Sequence, residues 1–122
     1  MMKNKALIIV GGILGFLAVS LGAFGAHILK DKISAELLSV FQTGILYHLI
    51  HSVVITVIAV INDSRFYKSA IFFIMGIILF SFSLYIYSVT QMKLFAMITP
   101  LGGVSFLAGW LMIIVEGLKI RR

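Results

Sequence analysis

Four long uncharged stretches alternate with short charged segments along the chain. Asp, Glu, Lys and Arg are absent from residues 6–29, 37–62, 69–92 and 94–115. Each stretch exceeds the roughly 18 apolar residues that indicate a membrane-spanning helix. We predict helices at about residues 6–27, 35–61, 69–90 and 95–118, within a single transmembrane domain covering residues 1–122.

The short connections require consecutive helices to be antiparallel neighbours. The predicted fold is therefore an all-α membrane protein, a four-transmembrane-helix antiparallel bundle. Composition agrees, because 61% of the 122 residues are hydrophobic and only 11% are charged. The mean hydropathy is +1.17, and a soluble chain could not cover so much apolar surface. A lipid bilayer is the expected surrounding.

Lys and Arg residues predict the orientation through the positive-inside rule. The side with both termini and the 62–68 loop carries seven of them, and the other side carries three. The seven are Lys3, Lys5, Arg65, Lys68, Lys119, Arg121 and Arg122, and the three are Lys30, Lys32 and Lys93. Both termini are predicted to be cytoplasmic. The net charge of +6 is scattered over helix ends, which favours topology and anionic headgroups over nucleic acid as its explanation.

The first uncharged stretch has an alternative explanation, a cleaved secretory signal. Lys3 and Lys5 precede the apolar run, and residues 23–26 resemble a cleavage site. The run is longer than the roughly 7–15 apolar residues of a signal core. Cleavage would also leave only three spans, so we expect the stretch to be retained as a helix.

Small residues on the first and fourth helices predict close helix packing, because packing drives helix association in lipid. The glycines concerned are Gly11, Gly15, Gly22, Gly25, Gly102 and Gly103. They serve either packing within the bundle or a homo-oligomer face. Pro100 follows Thr99, so either it begins a helix capped by Thr99 or it kinks a helix that begins near Leu94.

Polar side chains inside the spans form the candidate site, because such groups are costly in lipid and face the bundle interior. They are His27, Gln42, Tyr47, His48, His51, Ser83, Tyr85 and Thr99. We expect them to line a shared polar pocket or network near the non-cytoplasmic side. Interhelical hydrogen bonds, a pH-sensitive or proton-relay role, and metal binding with His27 as the third ligand are the open explanations. Axial haem ligation by both His48 and His51 is excluded, because they lie on one helix.

Several chemistries lack the residues that they require. The chain has no cysteine, which excludes disulfides and thiol nucleophiles. No Asp or Glu lies inside a span, so proton-coupled cation export of the kind that depends on a membrane-embedded glutamate is disfavoured. There is no Ser-His-Asp set and no phosphate-binding loop. We predict no catalytic residues, no metal and no cofactor.

Four motifs resemble a known family in their order and spacing. They read GAFGAH at 22–27, FQTG and YHLIH within 41–51, SFSLY at 81–85, and TPLGG at 99–103 followed by Gly109-Trp110. This resembles the bacterial membrane proteins of uncharacterised family 0382, also called domain-of-unknown-function 423, to which animal transmembrane protein 256 is similar. The family usually has Ser-Gly-Ser where this chain has Phe82 between two serines.

The resemblance implies a multi-pass protein of the bacterial plasma (inner) membrane, and it implies no activity. We expect a non-enzymatic structural or accessory membrane protein. The alternative is a protein that binds or transports a small molecule, lipid or ion through the polar pocket. The expected partners are the lipid bilayer and either a second copy or another membrane protein.

Overall fold

The computed structural model describes residues 2–121, and it describes side chains from Asn4 onward. Two of the cations that predict the orientation are not fully described. Arg122 lies outside the described residues, and so does the side chain of Lys3. The orientation itself remains a prediction.

Residues 2–121 form four helices that are long and apolar enough to cross a membrane. We label their spans α1 (Asn4–Leu29), α2 (Ala35–Ile61), α3 (Ser64–Thr90) and α4 (Lys93–Lys119). The predicted all-α bundle of four antiparallel transmembrane helices is confirmed. Extensive contacts join α1 to α2, α2 to α3, and α3 to α4.

The helix ends follow from local hydrogen bonds. Ser34 Oγ accepts from the backbone N–H of Leu37 at 3.1 Å and caps α2. Asn62 ends α2 in the left-handed conformation, with φ of 59°. Asp63 then accepts from the N–H of Arg65 at 3.0 Å, so α3 begins at Ser64. This start precedes the predicted residue 69, because the first turn of α3 carries charges at the membrane surface.

The glycines of α1 face α2 in an antiparallel series. An added Cβ would meet Thr56 from Gly11, Ser52 from Gly15, Ile45 from Gly22 and Phe41 from Gly25. Gly11 is the tightest, because an added Cβ would overlap the Thr56 side chain; the distances at Gly22 and Gly25 would be 3.2 and 3.1 Å, and Gly15 is looser at 3.9 Å. Gly11, Gly22 and Gly25 therefore lie in close contact with α2 within the chain. The homo-oligomer face stays a prediction.

Pro100 lies inside α4, which is continuous over Lys93–Lys119. Thr99 does not cap a helix here. Its Oγ1 instead donates to the carbonyl of Phe95 at 2.9 Å. Of the two alternatives for Pro100, the structure shows the proline within a helix that has already begun. The missing N–H leaves the Ala96 carbonyl without its helical donor.

Two π-helical segments, Leu21–Gly25 in α1 and Ile77–Phe82 in α3, have no counterpart in the predicted pattern. A π turn has more residues than an α turn, so it rotates the residues that follow it around the helix axis. In α3 this segment lies against α4. An added Cβ at Gly102 would lie 2.6 Å from the Cα of Phe80.

We predict opposite effects for alanine at the two neighbouring glycines of α4. Gly102→Ala places a methyl group against the Phe80 backbone, which cannot rotate away, and should destabilise the protein by about 1–3 kcal/mol. At Gly103 the nearest atom would be 3.9 Å away, so Gly103→Ala should gain roughly 0.5–1 kcal/mol from helix propensity. Thermal melting in one detergent, followed by size-exclusion chromatography, measures both. Equal effects would contradict this contact.

Candidate functional site

His48 is the most deeply buried histidine of the bundle, with no exposed surface. Its Nδ1 is 2.8 Å from the hydroxyl of Tyr85, which joins α2 to α3. Gly44, one turn earlier, makes room for that ring, because an added Cβ would lie 2.8 Å from Tyr85 Cε1. His48 Nε2 has no hydrogen-bond partner in the part of the chain that the structure describes.

His51 has both ring nitrogens engaged. Trp110 Nε1 donates to His51 Nε2 at 3.0 Å, across from α4 to α2. Because the indole N–H can only donate, Nε2 must be the acceptor and Nδ1 must carry the proton. Nδ1 then donates to the carbonyl of Tyr47 at 2.6 Å. His51 is therefore a neutral imidazole with one defined tautomer.

Aromatic rings fix the plane of that imidazole. The ring of His51 stacks on Phe106, with centroids 3.8 Å apart and planes 11° from parallel. Phe73 approaches it at 5.1 Å and Trp110 at 5.9 Å. His51 is only 4% exposed, so its position is determined on every side.

Ser83 and Thr99 form a third polar contact, between α3 and α4. Their hydroxyl oxygens are 2.6 Å apart. Each is also within reach of a carbonyl of its own helix, Phe80 for Ser83 and Phe95 for Thr99. Six residues further along α4, Ser105 Oγ donates to the carbonyl of Phe72 at 2.7 Å and adds a second link between the same helices.

The remaining predicted residues lie apart from these contacts. His27 and Gln42 are exposed, and neither side chain forms a hydrogen bond with another described residue. Tyr47 is 40% exposed, and its ring packs on Phe80 at 4.8 Å. Five of the eight candidates therefore belong to three separate polar contacts: His48 with Tyr85, His51 with Trp110, and Ser83 with Thr99. The Tyr47 ring lies beside His51, and His27 and Gln42 lie apart. Among residues 4–121 no three His, Asp or Glu side chains are grouped so that they could hold a metal ion.

Trp110 is the functional residue missing from the predicted set. It is the single tryptophan of the sequence, and it supplies the donor for His51. An indole N–H in an apolar span needs a partner, which is the signal that could have identified it. Its register relative to His51 depends on how α2 and α4 meet, and this cannot be read from either helix alone.

Phe82, between Ser81 and Ser83, places its ring beside the contact of His48 with Tyr85. It meets the His48 ring edge-on, with centroids 5.4 Å apart and planes at 77°. It also lies 5.9 Å from the ring of Tyr85. The bulky ring at this position therefore covers the His48–Tyr85 pair.

A cleft of about 410 Å³ opens between α2 and α4 over α3. Five of its lining residues carry aromatic or imidazole rings, and Pro100 is one of the other lining residues. The ring-bearing residues are Tyr47, His51, Phe80, Phe106 and Trp110. A second, wholly apolar cleft of about 260 Å³ lies further along the same side of α2, between Val57 and Ile113. Both clefts border the surface that lipid covers.

Comparison with known proteins places the chain among membrane proteins without an assigned activity. A family model described as "Protein of unknown function (DUF423)" matches residues 21–103. The UPF0382 inner membrane protein YgdD of Escherichia coli K12 is 40% identical, over 99% of this chain and 95% of its own length. The UPF0382 membrane protein YwdK of Bacillus subtilis is 45% identical, over 94% and 98%.

A third relative, a UPF0382 membrane protein of Staphylococcus saprophyticus, is 40% identical over 95% of this chain and 99% of its own length. No solved structure matches the chain. The resemblance drawn from the four motifs is confirmed, as is the expectation of a multi-pass protein of the bacterial inner membrane. The chain belongs to the DUF423, or UPF0382, family of membrane proteins of unknown function.

Proposed function

We propose that this chain is a non-enzymatic structural or accessory membrane protein, in which the buried polar groups hold the helices in place. The observation that carries the proposal is the state of His51. Both of its nitrogens are used by the fold, one as acceptor for Trp110 and one as donor to Tyr47. A general base or metal ligand needs a free nitrogen lone pair, and His51 has none to offer.

The other contacts support the same role. His48 and Tyr85 face each other with His48 fully covered, so no reactant in solvent or lipid touches this ring. Three polar contacts connect α2 with α3, α2 with α4, and α3 with α4. Each of α2, α3 and α4 is therefore joined to the other two by a polar contact. Interhelical hydrogen bonds in membranes contribute on average about 0.6 kcal/mol each, so their effect is to fix register as much as to add stability.

A direct test compares purified wild-type protein with the His48→Ala/His51→Ala variant. Mass spectrometry of retained small molecules and elemental analysis are performed on both. We expect no stoichiometric metal or chromophore in the wild type, and lower thermal stability of the variant. A stoichiometric metal or chromophore that the variant loses would overturn the structural role and make the polar groups a ligand site.

The hydrogen bond between Trp110 and His51 can be removed with the aromatic packing retained. Trp110→Phe should lower stability by about 0.6 kcal/mol, and by no more than about 1.7 kcal/mol for the bond itself. Reversible unfolding in mixed micelles measures the change. Trp110→Phe combined with His51→Phe serves as the control, because it removes both partners and leaves no unpaired nitrogen. A single variant as stable as the wild type would contradict the proposed role of this bond.

We also propose association with a partner, either a second copy or another membrane protein, since an accessory protein acts through a complex. Native mass spectrometry from membranes distinguishes the two. A defined homo-oligomer or a co-purified complex supports the proposal, and a monomer under gentle extraction contradicts it.

One observation favours a second candidate function, the binding of an apolar chain-like molecule from the bilayer. The cleft between α2 and α4 presents ring faces to lipid over about 410 Å³. Ligand sites of this size are lined mainly by apolar and aromatic side chains with few polar groups. The half-exposed Tyr47, whose ring lines the cleft, carries a polar hydroxyl of this kind.

Filling the cleft should displace such a molecule. Val104 lines the cleft and is 63% exposed, so Val104→Trp should fill the opening without disturbing the core. Val19 of α1 is 59% exposed and lines none of the described clefts, so Val19→Trp is the matched control. Lipid extracts of both variants are quantified by mass spectrometry. Equal retention in the two variants would contradict ligand binding in this cleft.

A further inference from the structure

We infer that the end of the bundle with both chain termini binds one anionic phospholipid, with its headgroup at Lys68 and its acyl chains in the two grooves that flank α3. This inference is independent of the polar contacts around His48 and His51, which lie on other faces of the helices. It names a site and a ligand class rather than an activity.

The first observation is the shape of the surface around Lys68. One groove, of about 430 Å³, lies between α1 and α3, and another, of about 280 Å³, lies between α3 and α4. Lys68 lines both. Below it, α3 presents Ile71, Met75 and Ile78 to lipid at helical spacing. A molecule seated here therefore meets one cation at the top and an apolar channel on each side of a helix ridge.

The walls of the larger groove are almost entirely apolar. Its lining residues are Ala6, Leu7, Ser64, Tyr67, Lys68 and Ile71. Ser64 and Lys68 stand at the outer end, where α3 begins, and Ile71 lies deeper. The polar end and the apolar length match the two parts of a phospholipid, a headgroup and a hydrocarbon chain.

The second observation is the charge balance at this end of the bundle. Asp63 is paired with Arg65 at 2.5 Å, and Glu116 with Lys119 at 3.5 Å. Hydrogen bonds from the Arg65 side chain and backbone lower the pKa of the Asp63 carboxyl to about 2, so this pair stays ionised at neutral pH. Lys68 forms no ion pair among the residues that the structure describes.

The unpaired ammonium of Lys68 makes the site positively charged. Lys5 is a second exposed cation at this end of the bundle, next in sequence to Ala6 on the wall of the larger groove. Glu116 lines the smaller groove, and its charge is offset there by Lys119. An anionic headgroup is therefore favoured over a zwitterionic one, by about 1 kcal/mol for a lysine near the membrane surface, or about fivefold in affinity.

A lipid fits this site better than a free anion does. A phosphate ion would use only Lys68 and would leave the apolar grooves below it empty. An acyl chain covers those grooves and tethers the headgroup, which raises its local concentration at the ammonium. The site therefore favours a phospholipid over a free phosphate ion.

The experiment is native mass spectrometry of the full chain, with phosphatidylglycerol and phosphatidylcholine of identical acyl chains as probes. We expect one tightly retained phosphatidylglycerol. Lys68→Gln should reduce its affinity about fivefold and leave phosphatidylcholine unchanged. Lys93→Gln, an exposed lysine at the opposite end of the bundle, is the matched control and should change neither. Equal losses in the two lysine variants would overturn the site.

A second variant tests the groove instead of the charge. Ala6 is exposed on the groove wall, so Ala6→Phe fills the groove without entering the core. It should weaken both lipids, since both carry the same chains. Undiminished phosphatidylglycerol binding would overturn the placement of the chain. Inorganic phosphate should not displace the lipid, and displacement at millimolar phosphate would show a free-anion site and contradict the inference.

Discussion

In a lipid solvent, no water is available to hydrogen-bond an imidazole, indole or hydroxyl group inside a span, so a partner within the protein is favoured. The arrangement of α2, α3 and α4 follows from this constraint. Trp110 reaches His51, Tyr85 reaches His48, and the hydroxyls of Ser83 and Thr99 meet. Satisfying all three contacts together requires a single relative rotation and depth for each helix. The apolar contacts alone, between similar aliphatic surfaces, would allow several.

Small residues make these contacts possible by setting the distances between helix axes. Gly44 admits the Tyr85 ring beside His48, and Gly102 admits the backbone of α3 at Phe80. Gly76 and Gly109 receive the rings of Phe106 and Phe73, which in turn surround His51. The polar contacts between helices therefore depend on the close approach of the helices that these glycines allow. Without the glycines, the donors and acceptors would stand too far apart to bond.

The sequence predicted the four spans and their antiparallel order, because length and absence of charge determine whether a helix crosses lipid. It predicted less of the site, because polarity indicates the depth of a residue but not the direction it faces. Gln42 and His48 have similar depth signals, yet Gln42 is exposed and His48 is fully buried. The π-helical segment Ile77–Phe82 further changes which residues of α3 face α2, and no hydropathy pattern marks it. Trp110 is absent from the predicted polar set for a related reason, since its partner lies 59 positions earlier in the sequence.

That long separation has a consequence for how the protein is assembled during synthesis. Helices enter the membrane in order from the N-terminus, and the α1–α2 hairpin has all of its glycine contacts as soon as α2 is complete. His51 Nε2, however, must wait for the last helix to emerge before its donor exists. Until then His51 Nε2 lacks the donor that it has in the complete bundle. Docking of α4 supplies this donor, so the Trp110–His51 bond, like the contact of Ser83 with Thr99, forms only after all four helices are present.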